Sequence, residues 1–207
     1  MKVLLINGSP HVAGCTYRAL KEVGDVLNNE GIETVFLHVK NDTRSCIDCE
    51  TCHKTGKPCV MNDDVSQLSE HLDEYDGFVV GSPVYYAGVN GALMSFLDRL
   101  YYSNNTAKFA YKAAAAVTSS RRAGNSTTFD AINKFFLITS MTVIGSDYWN
   151  EVHGKSPQEV EQDLEGLRTM RVLGRNMAYY LKMRELAKQN GLSEPESEKR
   201  IYTNFIR

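Results

Sequence analysis

The chain has 207 residues, 43% of them hydrophobic and 23% charged, with a formal net charge of −2. This composition is typical of a globular protein with a sizeable core, and the balanced charge excludes the strongly basic footprint of a nucleic-acid-binding protein. Because no apolar run approaches the ~20 residues of a membrane span and the N-terminal run is too short for a secretory signal, we expect a cytoplasmic protein without a membrane anchor.

Strand-like and helix-like stretches alternate along the chain. In chain order we predict a strand at 3–6, a helix at 16–29, a strand at 32–39, a helix at 64–74, a strand at 78–80, a helix at 90–102, a strand at 112–117, a helix at 126–138, a strand at 141–144 and a helix at 156–187. Five strands alternating with helices predict an α/β fold with a parallel sheet covered on both faces.

Two segments interrupt or follow this alternation. Residues 41–62 carry four of the five cysteines, and residues 191–197 form a polar linker before an apolar tail at 201–206. We therefore predict one domain over residues 1–182 with a cysteine-rich insert at 41–62, and a helix end and tail over 183–207. The tail is either a frayed terminus or an arm on a neighbouring subunit, and its exposed apolar residues favour the arm.

The loop after the first strand is a candidate ligand site, because doubly wound sheets bind ligands beyond the carboxyl ends of their strands. It contains neither a dinucleotide fingerprint nor a P-loop. Hydroxyls, glycines and the positive end of a helix suit a terminal phosphate, although such a loop is also an ordinary strand-to-helix turn. The candidate residues are Ser9, Pro10, Gly14, Cys15 and Thr16.

The loops after the third and fourth strands offer complementary chemistry. Tyrosines after a turn fixed by proline provide a surface for a planar aromatic ligand, or they merely cap the core. Two arginines suit an anionic cofactor or the phosphates of a reduced nicotinamide, or they lie on a solvated face. The candidates are Pro83, Val84, Tyr85, Tyr86, Ala87 and Gly88 in the first of these loops, and Ser119, Ser120, Arg121 and Arg122 in the second.

These motifs resemble those of the NADPH-dependent FMN reductase family over residues 1–180. The resemblance is carried by Gly8-Ser9-Pro10 with Gly14 and Thr16, by Asp76-Gly77 and Gly81-Ser82-Pro83-Val84-Tyr85, and by Phe96-Leu97-Asp98-Arg99. It implies a flavodoxin-like three-layer sandwich with a five-stranded parallel sheet in the order 2-1-3-4-5. It also implies FMN, with its phosphate at Ser9 and Thr16 and its isoalloxazine ring between residues 83–88 and 119–122. The resemblance extends to the segment with Tyr148, Trp149 and His153, which follows the fifth predicted strand.

The insert spaces Cys46, Cys49, Cys52 and Cys59 as C-x₂-C-x₂-C-x₆-C. This spacing places three cysteines close together and the fourth further along the chain, which fits a cubane cluster. It fits zinc less well, because zinc ligands usually form two pairs that are far apart in sequence. The insert is similar to that of the iron–sulfur flavoprotein branch of the family. A [4Fe–4S] cluster, a zinc ion and free thiols all stay open.

The resemblance implies an FMN-dependent oxidoreductase that accepts hydride from NAD(P)H and passes electrons to a small-molecule or protein acceptor, through the cluster if one is present. It implies a homodimer or homotetramer. No residue is predicted as a catalytic acid or base, because the flavin carries the redox chemistry. The alternative is a non-enzymatic FMN electron carrier that serves only protein partners. A phosphoryl-accepting regulator is excluded, because its magnesium site needs acidic residues where Asn7 and Ser9 stand.

Overall fold

Strands and helices alternate along the computed structural model, which describes residues 1–196, 198 and 201–206. Its strands are β1 (Lys2–Asn7), β2 (Glu33–His38), β3 (Gly77–Pro83), β4 (Ala113–Ser120), β5 (Thr142–Val143) and β6 (Glu151–His153). Its α-helices are α1 (Cys15–Asn29), α2 (Thr51–Thr55), α3 (Asp64–Glu70), α4 (Gly91–Tyr102), α5 (Asn125–Ile138), α6 (Pro157–Val160) and α7 (Leu164–Gln189).

One parallel sheet carries the strands in the order β2-β1-β3-β4-β5. Leu5 of β1 lies opposite both Phe36 of β2 and Val79 of β3, and Val79 in turn lies opposite Ala115 of β4. Since the pairings are parallel, the carboxyl ends of β1, β3 and β4 meet at one edge of the sheet. The predicted flavodoxin-like order 2-1-3-4-5 is confirmed.

Two hydrophobic cores cover the two faces of the sheet, because successive residues of a strand point to opposite sides. Leu5 and Val79 lie in the core that α1 and α7 cover. Leu4 and Phe78 lie in the other core, to which α3, α4 and α5 contribute their buried side chains. The result is the predicted three-layer sandwich, and the loops after β1, β3 and β4 lead from buried strands into α1, α4 and α5, which pack on these faces.

The prediction of one long helix over residues 156–187 is wrong at its beginning. The chain forms the short α6, with Pro157 in its first turn, and then starts α7 afresh at Leu164. Asp163 causes the break, because its carboxylate accepts hydrogen bonds from the backbone N–H groups of Gly166 (2.9 Å) and His153 (2.6 Å). An N-cap of this kind begins a new helix. The helix predicted at 64–74 likewise ends at Glu70, and a 3₁₀ turn follows at Leu72–Glu74.

The fifth strand is shorter than predicted and is continued by a strand that the sequence pattern did not indicate. Only Thr142–Val143 of the predicted 141–144 pairs with β4. Beyond an irregular stretch, β6 pairs with the carboxyl end of the same strand, with His153 opposite Ser120. The junction is made by Asn150, whose Nδ2 donates to Ala116 O (3.0 Å) and whose carbonyl accepts from Thr118 N (2.9 Å).

The last helix, α7, continues to Gln189, so its end lies within residues 183–207 as expected, and the domain limit at residue 182 stays a prediction. The described apolar residues of the tail are exposed, namely Ile201, Tyr202, Phe205 and Ile206. Ser197, Lys199, Arg200 and Arg207, which belong to the predicted linker and tail, lie outside the described residues. The arm therefore stays a prediction. Among the helices that the structure describes, none combines the length and the hydropathy needed to span a membrane.

Candidate functional site

The loop from β1 to α1 is fixed in shape by side chains at the strand ends. Asn7 accepts a hydrogen bond from Ser9 N (3.1 Å) and donates one to Val12 O (3.1 Å). The buried Ser9 hydroxyl accepts from His11 N (3.1 Å), and His38 at the end of β2 places Nε2 2.8 Å from Ser9 O. The loop is therefore preformed, with its backbone groups already oriented.

The N-terminus of α1 opens onto this loop without a capping side chain. Gly14 is the N-cap residue, and the first turn carries no acidic residue. A Cβ at Gly14 would lie 2.9 Å from the Cβ of His11, so only glycine lets the loop close this tightly. The first N–H groups of a helix lack intrahelical acceptors and carry the positive end of its dipole. This geometry suits a bound anion.

The loops after β1, β3 and β4 meet at two buried hydroxyl groups. Thr16 Oγ1 of α1 lies 2.8 Å from Ser119 Oγ of β4, and both residues are buried. Ser119 also accepts a hydrogen bond from the backbone of Val84 (2.9 Å). The structure thus brings Ser9, Thr16, Val84 and Ser119 of the predicted site to one edge. Cys15 lies beside them with its thiol directed at Gly154 O (3.5 Å), and burial raises the pKa of that thiol.

A tight turn at residues 85–88 carries the two candidate tyrosines. Tyr85 and Gly88 exchange backbone hydrogen bonds of 3.0 and 2.9 Å, and Tyr86 and Ala87 between them have φ values of 49° and 55°. Non-glycine residues in this left-handed region are strained, and such strain persists only where neighbouring structure holds it. Here the neighbour is Gly124, where an added Cβ would lie 3.0 Å from Ala87 Cα. The ring of Tyr86 is fully exposed beside this turn.

The carboxyl end of β4 carries a buried polar network and two exposed arginines. Ser120 Oγ lies 2.5 Å from Asn125 Oδ1, and Asn125 Nδ2 donates to Thr118 Oγ1 (3.1 Å). This network fixes the turn that carries Arg121 and Arg122, and both arginines are exposed. Within the described part of the chain neither arginine has an ion pair, which leaves both guanidinium groups accessible to a charged ligand.

The segment with Tyr148, Trp149 and His153 lies one strand further out. The two aromatic rings are exposed and form an edge-to-face pair with centroids 4.8 Å apart. His153 Nδ1 lies 3.7 Å from the Asp163 carboxylate, and burial raises the pKa of the nearby Glu151. The segment borders the site through the pairing of His153 with Ser120 rather than lying at its centre.

Close packing at Gly81 of β3 sets the position of Thr16. A Cβ at Gly81 would lie 2.7 Å from Thr16 Cγ2 and 2.9 Å from Leu20 Cδ1. We expect Gly81→Ala to lower the free energy of unfolding by about 1–3 kcal/mol through overpacking, as measured by urea denaturation. Gly91→Ala is the control, because nothing lies within 4 Å of its added Cβ. Equal stability of the two variants would contradict this account.

All four cysteines of the insert line one small cavity near the C-terminal end of α4. Cys46 and Cys49 are exposed, whereas Cys52 and Cys59 are partly buried. Hydrogen bonds from Thr51 lower the pKa of the Cys49 thiol, and burial raises that of Cys52. The cavity is separate from the loops at the sheet edge, since no residue of those loops lines it.

Arg99 of α4 connects the cysteine insert to the body of the fold. Only 1% of this residue is exposed, and its guanidinium makes a two-pronged ion pair with Asp63, with N···O distances of 2.7 and 2.8 Å. Its Nε and Nη2 lie 3.4 and 3.3 Å from Cys59 Sγ, and Nη1 donates to Arg44 O (3.2 Å). Although burial opposes ionisation of Asp63, the hydrogen bonds and charge of Arg99 keep the pKa of that carboxyl below its usual value.

The donor set of this cavity fits an iron–sulfur cluster. Four thiol groups line one space, and a buried guanidinium beside Cys59 offsets negative charge. In the described residues no three cysteine, histidine or acidic side chains converge on the position of one metal ion. In a cubane each thiolate binds a different iron, so the four ligands do not need to share one ion.

Sequence reasoning did not single out Asn7, Asn125 or Arg99 as functional. Asn7 and Asn125 fix the loops that carry the candidate residues. Asparagine is common at the ends of strands and the starts of helices, so neither residue stands out in the sequence as functional. Arg99 was noted only within a family motif. A signal was available, since it lies three residues after Phe96 on the apolar face of a predicted helix.

Comparison with known proteins agrees with this geometry. The model of the family described as NADPH-dependent FMN reductase matches residues 1–155. An iron–sulfur flavoprotein of Methanocaldococcus jannaschii is 37% identical over 191 residues, covering 88% of this chain and 98% of that protein. A second iron–sulfur flavoprotein of the same organism is 31% identical, covering 83% of this chain and 92% of that protein.

Solved structures share the fold at low sequence identity. RosB with a bound 8-demethyl-8-formylriboflavin-5′-phosphate intermediate superimposes with a TM-score of 0.69 at 17% identity, covering 100% of this chain and 92% of that chain. This likeness shows the fold alone, whereas the family model and the curated relatives show the family. The chain therefore belongs to the NADPH-dependent FMN reductase family, as a flavin-binding oxidoreductase whose relatives include iron–sulfur flavoproteins.

Proposed function

We propose that the protein binds FMN at the carboxyl edge of its sheet and oxidises NAD(P)H there. The observation that carries this proposal is the convergence of the loops after β1, β3 and β4 on the contact between Thr16 and Ser119. Bound FMN would supply the redox chemistry, namely hydride transfer from a reduced nicotinamide. The protein's own residues bind and orient the cofactor.

The phosphate of FMN would lie at the uncapped N-terminus of α1. The rigid loop fixed by Asn7 presents the hydroxyl groups of Ser9 and Thr16, with Pro10 and Gly14 shaping the backbone between them. A monophosphate needs hydrogen-bond donors here and no metal ion, which agrees with the lack of acidic residues in the first turn of α1.

The isoalloxazine ring would lie between the turn at residues 83–88 and the loop at 119–122. The strained turn presents backbone polar groups and the tyrosines Tyr85 and Tyr86. Arg121 and Arg122, each without an ion pair in the described part of the chain, supply positive charge for the phosphates of the nicotinamide substrate or for the reduced flavin.

The insert would hold a [4Fe–4S] cluster through Cys46, Cys49, Cys52 and Cys59. The shared cavity and the Arg99 contact to Cys59 support this assignment over a mononuclear zinc site. The cluster would supply one-electron transfer beside the two-electron chemistry of the flavin. Electrons would then leave to a small-molecule or protein acceptor.

Steady-state oxidation of NADH and NADPH by the FMN-loaded protein tests the enzymatic proposal. We expect turnover with at least one of the two nicotinamides when an artificial electron acceptor is supplied. FMN binding without any nicotinamide oxidation would instead favour the alternative function of an electron carrier serving protein partners. A protein that binds no FMN when the cofactor is added in excess would contradict both.

A further inference from the structure

Among the residues that the structure describes, the most deeply buried cation is Arg99, which is 1% exposed on the side of the sheet covered by α3, α4 and α5. Burying a guanidinium is unfavourable unless its charge and hydrogen bonds are satisfied. The carboxylate of Asp63 satisfies the charge through two short contacts. One ion pair would suffice for that purpose, yet two further N–H groups are directed at Cys59 Sγ.

Cys59 is the cysteine of the insert that the Arg99 side chain contacts. Cys52 lies within α2, so the helix backbone positions it. Cys59 follows the chain reversal at Gly56, which has a φ of 66°, and belongs to neither a helix nor a strand. The side-chain hydrogen bonds to its thiol come from Arg99, which lies 40 residues away in sequence.

We propose that Arg99 is a positioning residue for the cluster of the insert: it fixes Cys59 as the fourth ligand and stabilises the reduced cluster through two N–H···S hydrogen bonds. This inference rests on the proposed function, because it requires a cluster at the four cysteines. Hydrogen bonds to cluster sulfur atoms are one determinant of the reduction potential. They stabilise the more negatively charged reduced form and so raise the potential.

Arg99 also links the cluster ligand to the helix that follows the flavin loop. Its guanidinium holds Arg44 O and Asp63 on either side of the cysteines, while α4 itself is capped at its beginning by Asn90. The N–H of Asn90 donates to Ser82 Oγ at the end of β3 (3.1 Å). A single rigid helix therefore supports the turn at 83–88 at one end and Cys59 near the other.

Arg99→Lys tests the proposal, because lysine keeps the positive charge but cannot reach Asp63 and Cys59 with a planar fork of donors. Protein loaded with FMN is reconstituted anaerobically with iron and sulfide. We expect the variant to lose its cluster to an iron chelator about tenfold faster than the wild type, in the range of supporting residues around metal ligands. We also expect the midpoint potential of its cluster to shift to more negative values.

Two control variants separate this role from a general loss of stability. Lys112→Met removes another partly buried cation of the same layer, whose Nζ donates to Leu72 O (2.5 Å) and Tyr75 O (2.7 Å), and should leave the cluster potential unchanged. Asp63→Asn breaks the ion pair but keeps the donors that face Cys59, so its shift in potential should be smaller than that of Arg99→Lys.

The possible outcomes distinguish failure of this inference from failure of the proposed function. A wild-type protein that binds FMN but forms no cluster would overturn the cluster assignment and the role of Arg99 together. A wild-type cluster whose potential and release rate are unchanged in Arg99→Lys would overturn the role of Arg99 alone. An equal shift in Asp63→Asn would also overturn it, because the effect would then come from anchoring the insert.

Discussion

Thr16→Val is expected to weaken FMN binding by about 10–100-fold, because a hydrogen bond to a charged group contributes about 1.5–3 kcal/mol. Valine keeps the shape of the side chain and removes the hydroxyl that lies 2.8 Å from Ser119 Oγ. Because Thr16 is buried, few alternative donors can replace it. The dissociation constant is measured by quenching of flavin fluorescence when FMN is titrated into the flavin-free protein.

Riboflavin is the comparison ligand for this experiment, because it has the same ring system as FMN but no phosphate. If Thr16 binds the phosphate, Thr16→Val should weaken FMN binding while changing riboflavin binding little. Thr169→Val is the matched control: this buried threonine of α7 donates to Glu165 O (2.9 Å), away from the sheet edge. Equal losses of affinity for FMN and riboflavin would place the phosphate elsewhere.

The alternation of strands and helices was predictable because buried parallel strands are short, apolar and bounded by turn residues. The strand order came from the resemblance to a family, since periodicity alone does not say which strands are neighbours. The pattern failed where single polar side chains decide the backbone path. Asn150 hydrogen-bonds to the backbone of β4 where a neighbouring strand would otherwise pair, and Asp163 caps the start of a new helix. Hydrophobic periodicity carries no information about such polar contacts.

The position of the candidate loops was also predictable, because the carboxyl ends of parallel strands lie at the same edge of the sheet. Their mutual contacts were not. The Thr16–Ser119 pair joins residues 103 apart in sequence, and the Arg99–Cys59 contact joins a helix to an irregular insert. Helical periodicity would have assigned Arg99 to the buried face, yet its partner depends on how the insert folds back after Gly56.

Replacing any one of Cys46, Cys49, Cys52 and Cys59 by serine is expected to abolish the intact four-iron cluster. The wild-type protein, reconstituted without oxygen, should contain about four iron and four sulfide atoms per chain. Each serine variant should lose most of this content and the associated visible absorption. FMN binding should persist in all four, because the cavity of the insert is separate from the loops at the sheet edge.

Cys15→Ser is the matched control for cluster content, since Cys15 lies in α1 with its thiol directed at Gly154 O rather than at the insert. Its iron and sulfide should equal those of the wild type. Zinc bound by the wild type without sulfide would instead identify a mononuclear site. If the protein binds neither iron nor zinc, the four cysteines are free thiols. The three alternatives that the cysteine spacing leaves open are thus separated by one metal and sulfide analysis. The serine series then shows whether Cys59, which lies in the irregular stretch after α2, is required to the same degree as the three closely spaced cysteines.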